Sequence, residues 1–384
     1  MNTILYQLLP QDAWFFRDGR PYNEKESNQA DAESQFPPSP RTVSGAIRAA
    51  LARARGWNGR DAWDKQLNAV LGNGPDDLGK LQFSGSFLLR NNQPLFPAPL
   101  HLLGKQEEKR DKDGKKEKAW MPATFLRPAD QKTLTDIGEV HLPEIALAKD
   151  DQQREGLKPA EQHWLTIDGL QKVLAGALPE ADAFIPQDAL WKLERRVGLK
   201  RDASTLNTEE GELYSPAFVR LRQGIALGFA LAGLPADWQI PSLFPLGGES
   251  RLARCEKLET VNPSSMSELA VAKEGKIHFT IIALTPVAAQ KNADISALLG
   301  LDDVELISAC VGKPVFFGGW NSLQREPLPL VPFHPAGSVW FCQAPATEKG
   351  KIIAWHGRWL GDRRLTAHGF GQIAIGLWPL NTAN

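Results

Sequence analysis

Apolar residues recur every three or four positions through Val43, Ile47, Ala50, Leu51 and Ala54, a spacing that places them on one stripe of a helix. Ser39 suits the N-cap of that helix and Pro40 its first position, where a missing N–H costs nothing. Gly56 then supplies a stop. Elsewhere the apolar runs shorten to strand length. Residues 4–16, 81–89, 95–103, 225–234, 276–284 and 304–317 predict strands, while 168–178, capped by Asp168, and 295–299 predict short helices. Strands alternating with occasional helices in each half predict an α+β fold, and a split βαβ sandwich repeated twice fits the count. Pro235 and Pro241 flank a break, so the domain boundary is expected at 235/236. Residues 105–118 are almost wholly charged and predict a flexible hairpin tip or loop, an insertion over 104–120.

Charge changes this picture in one place. The chain of 384 residues has a formal net charge of −1, which argues against a general polyanion coat but not against a local basic groove. Arg41, Arg48, Arg53, Arg55 and Arg60 lie in a stretch, 41–60, that contains no acid. At about 100° per residue, Arg41, Arg48 and Arg55 share the face opposite the apolar stripe. That face is either a solvated surface or a row of guanidinium groups beside a helix N-terminus suited to phosphate.

Strong enzymatic signals are missing. The seven histidines show no metal-binding spacing, and Cys255, Cys310 and Cys342 are too scattered for a disulfide framework or a zinc site. Neither a GxxxxGK[ST] loop nor a GxSxG elbow occurs. No catalytic residue, metal or cofactor is therefore expected. The opening residues lack a signal-peptide pattern, and the longest apolar run, 225–234, is too short to span a bilayer, so a cytoplasmic protein is expected. What remains is a series of glycine turns with arginines and rings beside them. Gly247 and Gly248 stand before Arg251, Gly319 before Trp320, and Trp359 and Arg363 before Gly369 and Gly371. Glycines let a backbone approach a phosphate, while rings stack single-stranded bases. Ordinary β-turns and core tryptophans are the competing reading of each.

Several of these segments occur in a specific order. WFFRDGRPY, FPPSPRTVSGAIR, ERRVGL followed by GELY, LGGESR, FFGGW, PAGSVWF and GFGQIAIGLW run from about residue 10 to residue 378. Together they resemble the third subunits of the Cmr effector, the type III-B CRISPR ribonucleoprotein, within the RAMP superfamily. Residues 104–165 carry no part of the resemblance. It implies two ferredoxin-like domains, over 1–235 and 236–384. It also implies a non-catalytic, antiviral role: holding the 5′ tag of the crRNA, docking on the large polymerase-like subunit and touching the first backbone subunit. The RNA-binding candidates are Arg17, Ser39, Arg41, Arg48, Arg195, Arg196, Lys200, Gly247, Gly248, Arg251, Gly319, Trp320, Trp359, Arg363, Gly369 and Gly371. A RAMP endoribonuclease that processes crRNA precursors, and a scaffold gripping only the large subunit, are the alternatives.

Overall fold

The computed structural model describes residues 3–18, 31–110, 116–136, 138–147, 152–201, 208–259, 275–289, 298–301, 303–321 and 324–378. In its first half the elements that position the site are β1 (Ile4–Pro10), α1 (Pro40–Ala54), α2 (Lys65–Leu71), β2 (Gln82–Arg90), β3 (Leu102–Arg110) and β4 (Lys116–Pro128). They are followed by α3 (Ile167–Leu174), β5 (Ile225–Ala232) and β6 (Leu252–Lys257). The second half contributes β7 (Lys276–Ala283), β8 (Glu305–Cys310), β9 (Val315–Asn321), β10 (Glu326–His334), β11 (Val339–Pro345), α4 (Arg363–Thr366) and β12 (Ile373–Leu377).

Strand β1 pairs antiparallel with β5 on one side and β6 on the other, and β5 pairs antiparallel with β2. β1 and β2 therefore run parallel, and α1 supplies the crossover that parallel strands need. β5, IALGFALA, is apolar almost throughout because both faces of this central strand are covered. Three short strands extend the sheet beyond β2, and Leu243–Pro245 extends it beyond β6. In the second half, β7 lies between β11 and β12, and β11 pairs with β8, all antiparallel. Each half thus contains four strands in the spatial order fourth, first, third, second.

The expected helix forms where its signals lie. Ser39 Oγ accepts from the Arg41 amide at 3.1 Å, Pro40 opens the helix, and Gly56 follows with φ +93°. Val43, Ile47, Ala50 and Leu51 pack on the first sheet against Leu8, Phe83 and Phe229. Ile47 and Leu51 are fully buried, each worth about 1.5–3 kcal/mol of transfer free energy. A second core lies beneath β7, β11 and β12. A third joins the halves, packing Leu102, Trp120 and Phe125 of the β3–β4 hairpin and Leu170 of α3 against Val339 and Phe341 of β11.

Of the two readings of the charged insertion the hairpin holds: β3 and β4 pair from Leu102 opposite Phe125 to Arg110 opposite Lys116, with one register shift at Leu103/Gly104, and the base is anchored by Trp120 in the core. Two expectations change. Helix α3 is capped by Thr166, whose hydroxyl accepts from the Gly169 amide at 3.2 Å, with Asp168 inside the first turn. Strands Leu243–Pro245 and β6 lie beyond the expected boundary at 235/236 yet complete the first sheet. Of the helix expected at 295–299, only residues 298 and 299 are described, and they are helical.

Candidate nucleic-acid interface

The polar side of α1 looks into a cleft of about 910 Å³. The β9–β10 hairpin lines it against the helix, and the turn after Pro245 contributes Gly247 and Gly248. Phe317 and Phe333 of the hairpin clamp on Phe370, with the Phe333 and Phe370 rings stacked at 4.5 Å. A register shift between Phe317 and Gly319 breaks the strand's alternation, and Gly319 and Trp320 both face outward. Trp320 is 61% exposed. A Cβ at Gly319 would lie 3.1 Å from Cδ of Arg41, so the bare backbone lets the arginine lie against the hairpin. Of the sequence candidates, Arg17, Ser39, Arg41, Arg48, Gly247, Gly248, Gly319 and Trp320 line this cleft.

The arginine row is only partly the exposed face that the spacing implied. Arg48 is 5% exposed, because the loop of residues 72–79 covers it. Its Nε donates to the Leu71 carbonyl at 2.8 Å, and one terminal nitrogen donates to the carbonyls of Gly74 and Asp77 at 2.9 and 2.8 Å. Burial pushes its pKa down to about 10, with the Asp77 charge opposing. Arg48 is a loop anchor that happens to touch the cleft. Arg41 reaches Asp76 at 3.2 Å. Arg55 turns away to Asp237 and lies over the Trp238 ring. Arg53, named only as part of the acid-free stretch, and Trp57, Trp63 and His368, outside the candidate set, also line the cleft. Nothing in their local spacing marks them. Arg53 arrives on the last turn of α1, the two tryptophans through the α1–α2 linker, and His368 on a turn more than three hundred residues away.

His368 is held between Ser44 Oγ at 2.6 Å from Nδ1 and the Pro75 carbonyl at 2.8 Å from Nε2. The carbonyl can only accept, so Nε2 carries the proton and Nδ1 accepts from the hydroxyl. Burial, then the charge of Arg41, drives its pKa down to about 3, and the ring is neutral. Asp77 is pulled below the usual carboxylate range by the amides of Asn73 and Gly79, which donate to it at 2.9 and 2.8 Å. The loop over Arg48 is therefore fastened at several points.

The remaining candidates lie elsewhere. Arg251 and Arg196 stack over Phe218 at 4.4 and 4.8 Å and contact Asp12, and Arg196 also pairs with Glu194. Hydrogen bonds from Arg220 and Arg196 lower the Glu194 pKa to about 2. Arg195 pairs with Glu33. Lys200 falls in the strand Gly198–Arg201. Trp359 bridges to Gln372, with its Nε1 buried and without a hydrogen-bond partner. Arg363 opens α4 and is exposed. The glycines have packing reasons. Gly369 and Gly371 have φ of +106° and +76°, and a Cβ on either would meet a backbone carbonyl, of Gly85 at 2.0 Å or of Leu360 at 2.3 Å. The Gly248 amide donates to the Phe15 carbonyl at 2.8 Å, so it is already engaged. Among the described residues, no group of three or more His, Cys, Asp or Glu could hold a metal ion, and no helix is long and apolar enough to cross a membrane.

The Cas_Cmr3 family profile, for CRISPR-associated proteins, matches residues 6–378. The chain belongs to the Cas_Cmr3 family. The resemblance read from its ordered motifs is thereby correct. No curated protein matches the chain. It is similar to a chain of the type III-B Cmr-beta complex bound to cognate target RNA and AMPPnP, at 16% identity and TM-score 0.48, over 88% of this chain and 86% of that one. It is also similar to a chain of the type III-A Csm3–Csm4 subcomplex, at 13% identity and TM-score 0.36, over 88% and 92%. A chain of the Csm1–Csm4 cassette with pppApA gives 12% and 0.35, over 88% and 87%.

Proposed function

We propose that this Cas_Cmr3 protein is a non-catalytic RNA-binding subunit of a type III-B CRISPR effector. It holds the 5′ tag of the crRNA in the cleft between α1 and the β9–β10 hairpin, docks on the large polymerase-like subunit and contacts the first backbone subunit. The observation that carries the reading is the convergence in one cleft of Arg17, Arg41 and Arg53 with the exposed ring of Trp320. A single strand is held by cations along its phosphates and by rings under its bases, and this cleft offers both.

Two further observations support it. The fourth–first–third–second strand order, found once in each half, is that of a split βαβ unit, in keeping with two ferredoxin-like domains. The cleft's histidine, His368, has both ring nitrogens engaged and is neutral, which suits a structural role better than the general acid–base work of a processing nuclease.

Ultraviolet crosslinking of crRNA in the assembled complex tests the assignment. Crosslinks from the tag should fall within residues 41–63 and 316–330. Tag crosslinks confined to other surfaces overturn it. A discrete cut in a repeat transcript incubated with the purified chain would favour the nuclease alternative, and absence of any RNA contact in the complex would favour the scaffold.

A further inference from the structure

Resting on the RNA reading of the cleft, we infer that the linker between α1 and α2 builds a second stacking subsite, at Trp57 and Trp63, for an extruded nucleobase of the bound strand. Both rings line the cleft and are half-buried. Their centroids stand 5.9 Å apart with planes at 89°, an edge-to-face corner rather than a parallel stack. The Arg53 guanidinium lies 5.6 Å from the centroid of Trp57, and that of Arg48 lies 5.1 Å from Trp63. Guanidinium planes and bases compete for the same ring faces. Arg53 is exposed, so a base can take its place on Trp57 while the displaced cation meets the adjoining phosphate. Arg48 is fixed by the 72–79 loop and stays.

The corner is set before any ligand arrives. Trp57 Nε1 donates to the Asp61 carbonyl at 2.7 Å, and its amide donates to Ala52 at 3.1 Å. The Asn68 side chain donates to the Trp63 carbonyl at 3.1 Å. Asn58 Oδ1 accepts from the amides of Arg60 and Asp61 at 2.9 and 3.1 Å, closing the turn between the rings. Rings fixed in this way lose little freedom on binding. The surroundings favour a nucleotide over an apolar peptide. Arg41, Arg48 and Arg53 line the cleft with the rings, against Asp61 and Asp64 on either side of Trp63, and the polar side chains of Asn68 and Asn73 suit a base edge. Trp320 stands on the β9–β10 hairpin, so the strand would be stacked at two places with Arg41 and Arg53 between.

The test uses complexes assembled with crRNA in which single tag nucleotides are made abasic, one at a time. One abasic position should weaken retention about tenfold with the wild-type chain. Trp57→Leu should cause the same loss with intact tag and become indifferent to that abasic position, whereas Trp57→Phe should restore both retention and sensitivity. Additive losses at every position, or full retention by Trp57→Leu, overturn the subsite. Crosslinks that avoid the whole cleft in the wild-type complex would instead remove the RNA reading beneath it. Should Trp57→Leu melt early, Arg53→Gln substitutes for it. It should weaken retention of intact tag and leave the abasic tag nearly unchanged, because Arg53 meets the phosphate only when a base displaces it from Trp57, and an equal loss for both tags refutes that.

Discussion

The Arg41 guanidinium is held by the Asp76 carboxylate at 3.2 Å, so a cation that lies against the Trp320 hairpin is already neutralised from within the chain. The arginine side chain is 13% exposed and the acid 58%, which makes Asp76 the removable partner. A phosphate entering the cleft has to displace it. Asp76→Asn should therefore tighten tag retention several-fold, in line with about 0.2–1 kcal/mol for a pair with one exposed member. The plot of log affinity against log salt should steepen by about 0.7. Retention measured from about 50 to about 300 mM salt checks this, and an unchanged slope would mean that Arg41 meets no phosphate.

Arg48 should behave differently. Its removal leaves the carbonyls of Leu71, Gly74 and Asp77 without their donor in a covered site. Arg48→Ala should cost about 2–3 kcal/mol of stability in chemical denaturation. Lysine offers a point charge rather than a fork and should recover little of it. The exposed Arg53, replaced by Ala, should change stability by less than about 0.5 kcal/mol.

The contrast between these two arginines shows what the sequence could and could not say. Helix α1, its cap and its stop were legible because each depends on neighbours within four residues. The strand-rich α+β class was legible for the same reason. The burial of Arg48 was not, because the loop that covers it begins twenty-four residues later and is itself tied by His368. Gly369 and Gly371 looked like phosphate-cradling turns. Only the fold brings the Gly85 and Leu360 carbonyls to within 2.0 and 2.3 Å of where their Cβ atoms would be. Trp57 and Trp63 had no motif to announce them, since a stacking corner is made by ring orientation rather than by spacing.

Two glycines make the same point as a measurement. Gly45 sits in α1, and a methyl group there would find nothing within 4 Å, so Gly45→Ala should raise stability by up to about 1 kcal/mol through helix propensity. Gly369→Ala faces both a φ of +106° and the Gly85 carbonyl, and should lower stability by more than about 2 kcal/mol. Thermal melts of the two variants beside the wild type decide it. Equal effects would contradict the close approach at Gly369.

The charged hairpin divides into a base and a tip. Trp120 is 7% exposed and packs on Phe184 at 4.6 Å between ring centroids, so Trp120→Ala should cost about 3–5 kcal/mol. Residues 108–116 carry almost no apolar side chain, and replacing them with a short Gly/Ser turn should leave the melting temperature within a few degrees. A large drop on shortening the tip would mean that the charges pack against something other than solvent.

Stability should also fall on mild acidification, through two buried histidines. His101 is fully buried, stacked on Phe125 at 5.1 Å with Phe341 edge-on at 5.9 Å, and its Nδ1 has no hydrogen-bond partner. Burial drives its pKa down to about 3, as burial and Arg41 do for His368. Both rings are thus neutral in the fold at pH 5, whereas in the unfolded chain they take up protons below about 6.5. The unfolded state binds more protons throughout that interval, so stability rises with pH there and is lost as pH falls from about 6.5 toward about 3. Each histidine should withdraw about 2 kcal/mol by pH 5. Most carboxylates are still ionised at that pH, which keeps the histidine contribution separable. Burial also lowers His334 and His356, so denaturation at pH 7.5, 6 and 5 should show the decline, and His101→Leu should remove about 2 kcal/mol of it while leaving the neutral-pH value within about 1.5 kcal/mol. A variant with the same pH slope as the wild type would place the proton uptake on other groups.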